Sequence, residues 1–470
     1  MTKVEERTAR SAGTAWEPRV VAFTCNWCSY SGADMAGTAR LGYASNVRLV
    51  RMLCSGRLDP VFVLKAFEEG ADGVLVSGCH PGDCHYVQGN LYARRRLEVF
   101  ANLMDFVGID SRRLHFAWVS ASEGVKWSRV VDQVVAAVAE AGPAESWAAT
   151  GAPKPQPAQP SRQAAKPPRP LPPAERGRQT EFHLRELARR LLESGEVSRV
   201  IGYAPSQSGG PTVAAFIDAP EDAELLTWNA SCHRNLTAYL SGSSRMRSLA
   251  RTAVVVKTCD ARSLGGLLRE NQLRREEVVA IGVSCDGQWS GGQMAAKCYS
   301  CESDLTPLAD WSVGPDGVLE GSHPTEGRAV APDPRDAEIA ALASLTPGER
   351  LSFWTGEFDR CIRCYACRSA CPMCYCETCI ADKTQPQWIP VPSDGPGNFA
   401  WNITRAMHLA GRCADCDECA RACPSGIRLD LLNRTVELTI ERAFGSRVQA
   451  DPTAATALTT YRPDDPDRFL

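Results

Sequence analysis

Two stretches of this sequence repeat one spacing of thiols. Cys361, Cys364, Cys367 and Cys371 read C-x2-C-x2-C-x3-C and are followed by Pro372. Cys413, Cys416, Cys419 and Cys423 read the same and are followed by Pro424. No other feature limits the fold so strongly. Each loop must curl tightly enough to turn three sulfurs inward, and the two loops must lie side by side. In a doubled motif of this kind the first three thiolates of a run hold one cubane and the fourth reaches the other. The spacing predicts Cys361, Cys364, Cys367 and Cys423 around one 4Fe-4S cluster. It predicts Cys413, Cys416, Cys419 and Cys371 around a second. Zinc suits the pattern less well, because neither run divides into two isolated C-x2-C hooks.

Three more thiols follow the first run: Cys374, Cys376 and Cys379. A trio cannot complete a cubane alone. Either a further cluster takes a fourth ligand from elsewhere, with Cys298 or Cys301 as candidates, or the three are packed or face a partner. Arg360, Arg363, Arg368, Arg412 and Arg421 surround the runs. They suggest cations that raise cluster potentials or dock an acidic partner, or else a solvated face.

The chain has 21 cysteines in 470 residues. Disulfide frameworks belong to small exported domains. Here the N-terminal "MTKVEERTARSAGTAWEPR" has no apolar signal core, so a reducing, cytoplasmic setting is expected. No apolar run reaches the roughly 18 residues of a membrane span. A formal net charge of -3 gives no overall basic character for nucleic acid.

Five regions follow from patterning. Residues 18–141 alternate short apolar strands with helices, which predicts a parallel, flavodoxin-like sheet with covered faces. In "DPVFVLKAFEEG", Asp59 is the expected helix cap and Pro60 the first turn. Residues 142–178 are rich in Pro and Ala and read as a spacer. Residues 179–345 form a second α/β unit, polar and rich in Gly and Pro after about 303. Residues 346–445 read as mostly helical, a two-cluster ferredoxin domain. Residues 446–470 are a polar, Pro-broken tail, either disordered or wrapped on a partner.

In the first region Cys25, Cys54 and Cys79 each close a predicted strand. In a parallel sheet those ends share one edge, where ligands sit. Cys28 and Cys84 lie on the adjoining loops, so five thiols converge where a four-thiolate cluster needs four. His80 and His85 flank them as outer hydrogen-bond donors rather than ligands. The segments "CNWCSYSGADMAG", "RMLCSGRLDP", "AFEEGADGVLVSGCHPGDCHY" and "GNLYARRR" closely resemble the delta subunit of methyl-viologen-reducing hydrogenase, over about 20–140. That resemblance implies a 2Fe-2S cluster on four of Cys25, Cys28, Cys54, Cys79 and Cys84. It also implies electron transfer between an oxidoreductase module and the flavin subunit of a heterodisulfide reductase complex.

The middle region carries Cys232, Cys259, Cys285, Cys298 and Cys301. A further 4Fe-4S cluster, a tetrahedral zinc site and structural packing all satisfy such a set. "VVVKTCDARSLGGLLREN" and "IGVSCDG", with their neighbours, look like the beta-subunit family of deazaflavin-dependent hydrogenases and formate dehydrogenases, over about 180–305. Some members of that family bind FAD. No G-x-G-x-x-G follows a strand here. The helix "GNFAWNITRAMHLAGRC" between the thiol runs is similar to the helical ferredoxin modules of the heterodisulfide-reductase and succinate-dehydrogenase families.

These readings lead to a multi-cluster electron-transfer subunit. Its expected partners are a heterodisulfide-reductase-like flavin subunit and a hydrogenase, formate dehydrogenase or other dehydrogenase. The alternative is an FAD-containing oxidoreductase whose middle domain reduces a deazaflavin or another small acceptor.

Overall fold

A computed structural model describes residues 16–144, 167–168, 170–241, 251–301, 308–323 and 329–470. The first unit alternates β1 (Val20–Cys25), α1 (Ser29–Thr38), β2 (Val47–Met52), α2 (Pro60–Glu68), β3 (Gly73–Gly78), α3 (Gly89–Phe106), β4 (Leu114–Trp118) and α4 (Gly124–Ala141). The four strands are parallel in the order β2-β1-β3-β4. This matches the strand order of a flavodoxin-like sheet through its first four strands. β3 is buried along its whole length, as expected of a central strand with helices on both faces. Asp59 accepts from Val61 N at 2.9 Å and caps α2, with Pro60 in the first turn.

The second unit holds α5 (Ala174–Glu193), β5 (Arg199–Ala204), β6 (Val213–Ile217), β7 (Thr252–Val256), α6 (Thr258–Arg269), β8 (Val278–Val283), the small hairpin β9 (Trp289–Ser290) and β10 (Gln293–Met294), then β11 (Trp311–Gly314) and β12 (Gly317–Glu320). Its sheet runs β12-β11-β8-β7-β5-β6. The four inner strands are parallel, and β12 and β6 pair antiparallel at the edges. α5 begins at Ala174, inside the stretch read as spacer, and most of the rest of that stretch lies outside the described residues. β11 and β12 arise from the polar stretch after 303, where four-residue strands leave no alternation to read.

From residue 329 on, the regular elements among the described residues are helical: α7 (Pro334–Ala343), α8 (Pro347–Asp359), α9 (Ala366–Ser369), α10 (Gly395–His408), α11 (Glu418–Arg421) and α12 (Leu429–Phe444), with short single turns between. These helices join two cores. One core runs from Phe67, Phe100 and Phe106 of the first unit into Trp354, Phe358, Phe399 and Ile440. The other lies between the sheet and helices of the second unit and takes in Met373 and Leu409. The order in space is therefore first unit, helical region, second unit, which is not the order in the chain.

The tail is ordered against the first unit. Leu470 N donates to Phe116 O at 2.8 Å, and Trp118 N donates to Leu470 O at 3.3 Å, so the tail prolongs the sheet beyond β4. Phe469 stacks on Trp118 at 3.7 Å. Arg95 donates to both Asp465 oxygens, at 2.6 and 2.7 Å. No helix among the described residues is long and apolar enough to cross a membrane.

Candidate iron–sulfur sites

β1 and β3 end at one edge of their sheet and deliver Cys25 and Cys79 there; the loop after β2 delivers Cys54. Cys25 Sγ lies 3.9 Å from Cys79 Sγ. Cys25, Cys28 and Cys79 have their sulfurs within 4.8 Å of one another. Cys54 hydrogen-bonds with Cys25 on one side and Cys84 on the other, so all five buried thiols form one group. Gly89, at the start of α3, closes it: a Cβ there would sit 2.7 Å from Cys54 Sγ and 3.5 Å from Cys84 Sγ. Protons are shared unevenly. Hydrogen bonds from Cys25 and Cys28 bring Cys79 down to about 4, and those from Cys28 and Cys54 bring Cys25 to about 7. Cys28 and Cys54 are pushed up, each chiefly as a donor to Cys25. A buried, glycine-cradled group with thiolate character fits a thiolate-held cluster.

The histidines stand outside it. His80 Nε2 is 2.7 Å from Glu123 Oε2, and the His85 ring stacks on Trp27 at 3.8 Å.

The two long thiol runs have one conformation. In the first, Arg363 and Tyr365 have φ of 56° and 58°; in the second, Asp415 and Asp417 have φ of 54° and 59°. Left-handed non-glycine residues are uncommon. Here they fall at matched positions, each pair followed by one turn of helix, α9 or α11. Alternating handedness turns backbone N–H groups into a concave nest that favours anions, a feature of many iron–sulfur loops. The second loop is held by Arg335 of α7, which is fully buried and donates to Asp415 at 2.8 Å and Asp417 at 2.6 Å while pairing with Asp333.

Cys371, Cys413, Cys416 and Cys419 line a single small cavity with Met373 and Arg405. The fourth cysteine of the first run thus stands with the first three of the second. Burial pushes Cys416 up to about 11 and Cys419 up to about 12. Cys361, Cys367 and Cys423 pack instead against the core shared with the first unit, where Cys361 and Cys367 both feel Cys423. Cys364 is exposed on the same loop.

The five arginines singled out in the sequence are engaged within the chain and offer no free cationic face. Arg360 pairs with Glu357 at 2.6 Å, Arg368 with Asp382 at 2.9 Å, Arg412 with Glu270 at 2.6 Å and Arg421 with Glu418 at 2.5 Å. Arg363 donates to Gly397 O at 2.7 Å. The cation that does face the thiols is Arg405, one that spacing alone did not single out. Lys257 and Lys297 in the second unit were missed for the same reason.

In the second unit Cys259 lies in the first turn of α6, past the end of β7. Cys232 Sγ accepts from Asn229 N, and Cys298 Sγ from Gln288 N, both at 3.4 Å. Cys232 and Cys285 line a cavity of 520 Å³ at the carboxyl ends of β7 and β8, with Lys257, Gln288, Trp228 and Trp289. Lys257 is buried and pairs with Asp260 at 2.7 Å. Lys297 Nζ lies 4.0 Å from Cys259 Sγ and donates to Cys416 O at 2.6 Å, joining this unit to the second thiol run. Cys301 lies just after Cys298 and is half-buried. Of the trio, Cys374 accepts a hydrogen bond from Cys371, which lowers it to about 6; Cys376 is exposed; Cys379 lies beside Arg368. Cys298 belongs to a different packed group, with Trp289, Met294 and Tyr299.

Residues 20–142 match the family model described as methyl-viologen-reducing hydrogenase, delta subunit. The chain is 48% identical over 128 residues to the vhc iron-sulfur subunit of the F420-non-reducing hydrogenase of Methanococcus voltae, covering 89% of that protein and 27% of this one. The chain belongs to this delta-subunit family. The iron-sulfur subunit of the F420-non-reducing hydrogenase of Archaeoglobus profundus is 46% identical over 128 residues, 93% of its length and 27% of this chain. The delta-subunit sequence also matches one subunit of the Ferredoxin/F(420)H(2)-dependent CoB-CoM heterodisulfide reductase of Methanosarcina acetivorans. The two are 42% identical over 143 residues, which are 30% of this chain and 18% of that protein. These relatives are subunits of hydrogenase and heterodisulfide reductase complexes, and the many cysteines fit an iron–sulfur protein.

Proposed function

We propose that this chain is a multi-cluster electron-transfer subunit. It relays electrons between a hydrogenase, formate dehydrogenase or other dehydrogenase module and a heterodisulfide-reductase-like flavin subunit, which is a candidate bifurcation site. The observation that carries the reading is the spatial order of the thiol groups. The five-thiol group belongs to the first unit. Cys361 and Cys367 pack against Val61 and Phe62 of α2 in that unit. Cys371 and Cys413 pack against the core of the second unit. Four of the five N-terminal cysteines would hold a 2Fe-2S cluster. Cys361, Cys364, Cys367 and Cys423 would hold one 4Fe-4S cluster, and Cys371, Cys413, Cys416 and Cys419 another. Cys232, Cys259, Cys285, Cys298 and Cys301 are the donors for a further cluster, as are Cys374, Cys376 and Cys379 with a fourth ligand from elsewhere. When bound, such clusters take up and release single electrons. The protein's part is to bury the ligands, keep water from them and set nearby charge.

The cavity in the second unit favours a second reading. A cleft at the carboxyl ends of parallel strands is where α/β sheets bind small ligands. There FAD would make the middle domain an oxidoreductase acting on a deazaflavin or another small acceptor. One experiment separates the two. The chain is purified anaerobically with its native partners, and reduction of the partner flavin is followed. The relay reading expects C25S/C79S to block that reduction while the cubane signals persist and no flavin copurifies with the isolated chain. Unchanged flavin reduction in C25S/C79S contradicts it, and stoichiometric flavin on the isolated chain supports the second reading.

A further inference from the structure

Arg405 lies on α10, between the two thiol runs, and is 4% exposed. Its Nη2 donates to Cys367 O at 3.0 Å, a carbonyl of the first set. The same side chain lines the cavity of Cys371, Cys413, Cys416 and Cys419, the second set. Its Nε is buried and has no hydrogen-bond partner. Among the described residues no carboxylate forms an ion pair with it; the groups that favour its charge are Cys374, Cys419, Cys371 and Cys367. Each of the five arginines flanking the runs has an acid or a pair of carbonyls.

A buried guanidinium without an anion costs several kcal/mol. The chain therefore keeps a cation where only sulfur can balance it. A cubane on four thiolates is a net anion and gains one more negative charge on reduction. A fixed cation touching both sets stabilises the reduced form of each, and net charge and hydrogen bonds to sulfur are the levers that set such potentials.

We infer that Arg405 is the shared counter-charge of both cubane sites, a positioning residue that raises both reduction potentials and keeps them close together. This rests on the two-cubane reading above. Because it needs no contact with a partner, it is testable on the purified chain.

The test is a redox titration, followed by electron paramagnetic resonance, of wild type, R405K and R405Q at equal iron and sulfide content. R405Q is expected to shift the reduced-to-oxidised ratio at least tenfold toward oxidised at both sites, about 59 mV for a one-electron couple. R405K, which keeps the charge, is expected to stay within about threefold of wild type, roughly half that interval on the same scale. Loaded R405Q with unchanged potentials overturns the proposal, and so does a shift at one site alone. A second measurement does not depend on the variants folding. In wild type labelled with nitrogen-15 arginine, both reduced clusters are expected to show hyperfine coupling to an arginine nitrogen, and its absence overturns the proposal. Wild type without iron and sulfide for two cubanes would instead defeat the two-cubane reading itself, an outcome read before any variant is made.

Discussion

At the scale of single residues, thiol spacing told most of what the chain carries. The grouping of Cys371 with Cys413, Cys416 and Cys419 in one cavity is the grouping the doubled motif calls for. The charges around it were not legible, because a cation's partner is set by folding and not by its place between cysteines. Arg335 lies far outside the second run, yet it holds both left-handed residues of that loop. Replacing it leaves Asp415 and Asp417 buried without their cation. R335M is expected to lose about 3–5 kcal/mol of stability, measured by urea unfolding, and to lose the cubane on the second set first. Glu437 gives a pH dependence. It accepts from Gly411 N at 3.2 Å, and burial, with Asp415 beside it, raises it to about 8. A carboxyl raised on folding keeps its proton in the native state after the unfolded chain has lost it. Stability should therefore fall as pH rises from about 4.5, the ordinary value, to about 8. E437Q should remove that loss, gaining on the order of 2–3 kcal/mol at pH 7 and nothing below pH 4; unfolding curves across that range check it.

At the scale of elements, the apolar strands of both sheets and the cap of α2 were legible, because period and turn residues are local signals. α1 was not. Its sequence, SYSGADMAGT, has no apolar stripe, and it packs through small residues: a Cβ on Gly32 would meet Ser120 O at 2.8 Å. The tail was read as polar and Pro-broken, and its order comes from partners far away in sequence. Asp465 shows the balance. Burial alone would raise its carboxyl, but Arg95 more than offsets that, and the group ends below the usual carboxylate range. A depressed carboxyl stabilises above its unfolded value and loses that contribution as pH falls through the folded one. The tail should therefore loosen in acid. D465N should release it at neutral pH at a cost of about 3–5 kcal/mol, since it breaks one side of a buried pair. Fluorescence of Trp118, stacked on Phe469, reports both effects. An unchanged signal in D465N would show that the pair does not hold the tail.

At the scale of the whole molecule, the sequence suggested regions in series, whereas the helical region stands between the two sheets. Which core a helix joins is a non-local outcome: Phe399 and Leu409 lie ten residues apart and face different units. An interface made of one continuous core should survive loss of the connecting chain. If a protease site is placed between residues 144 and 167 and cut, the first unit should still coelute with the rest in high salt, because apolar contact is not screened. Separation would show that the shared core is not what holds them. The arrangement matters only if the thiol groups carry clusters, and one measurement decides that most directly. Anaerobically purified chain is analysed for iron, acid-labile sulfide and zinc, and its reduced state is examined by paramagnetic resonance. About 10–14 iron atoms per chain with matching sulfide are expected, with signals from more than one cluster type and no stoichiometric zinc. A colourless protein with zinc and no acid-labile sulfide would overturn the electron-transfer reading.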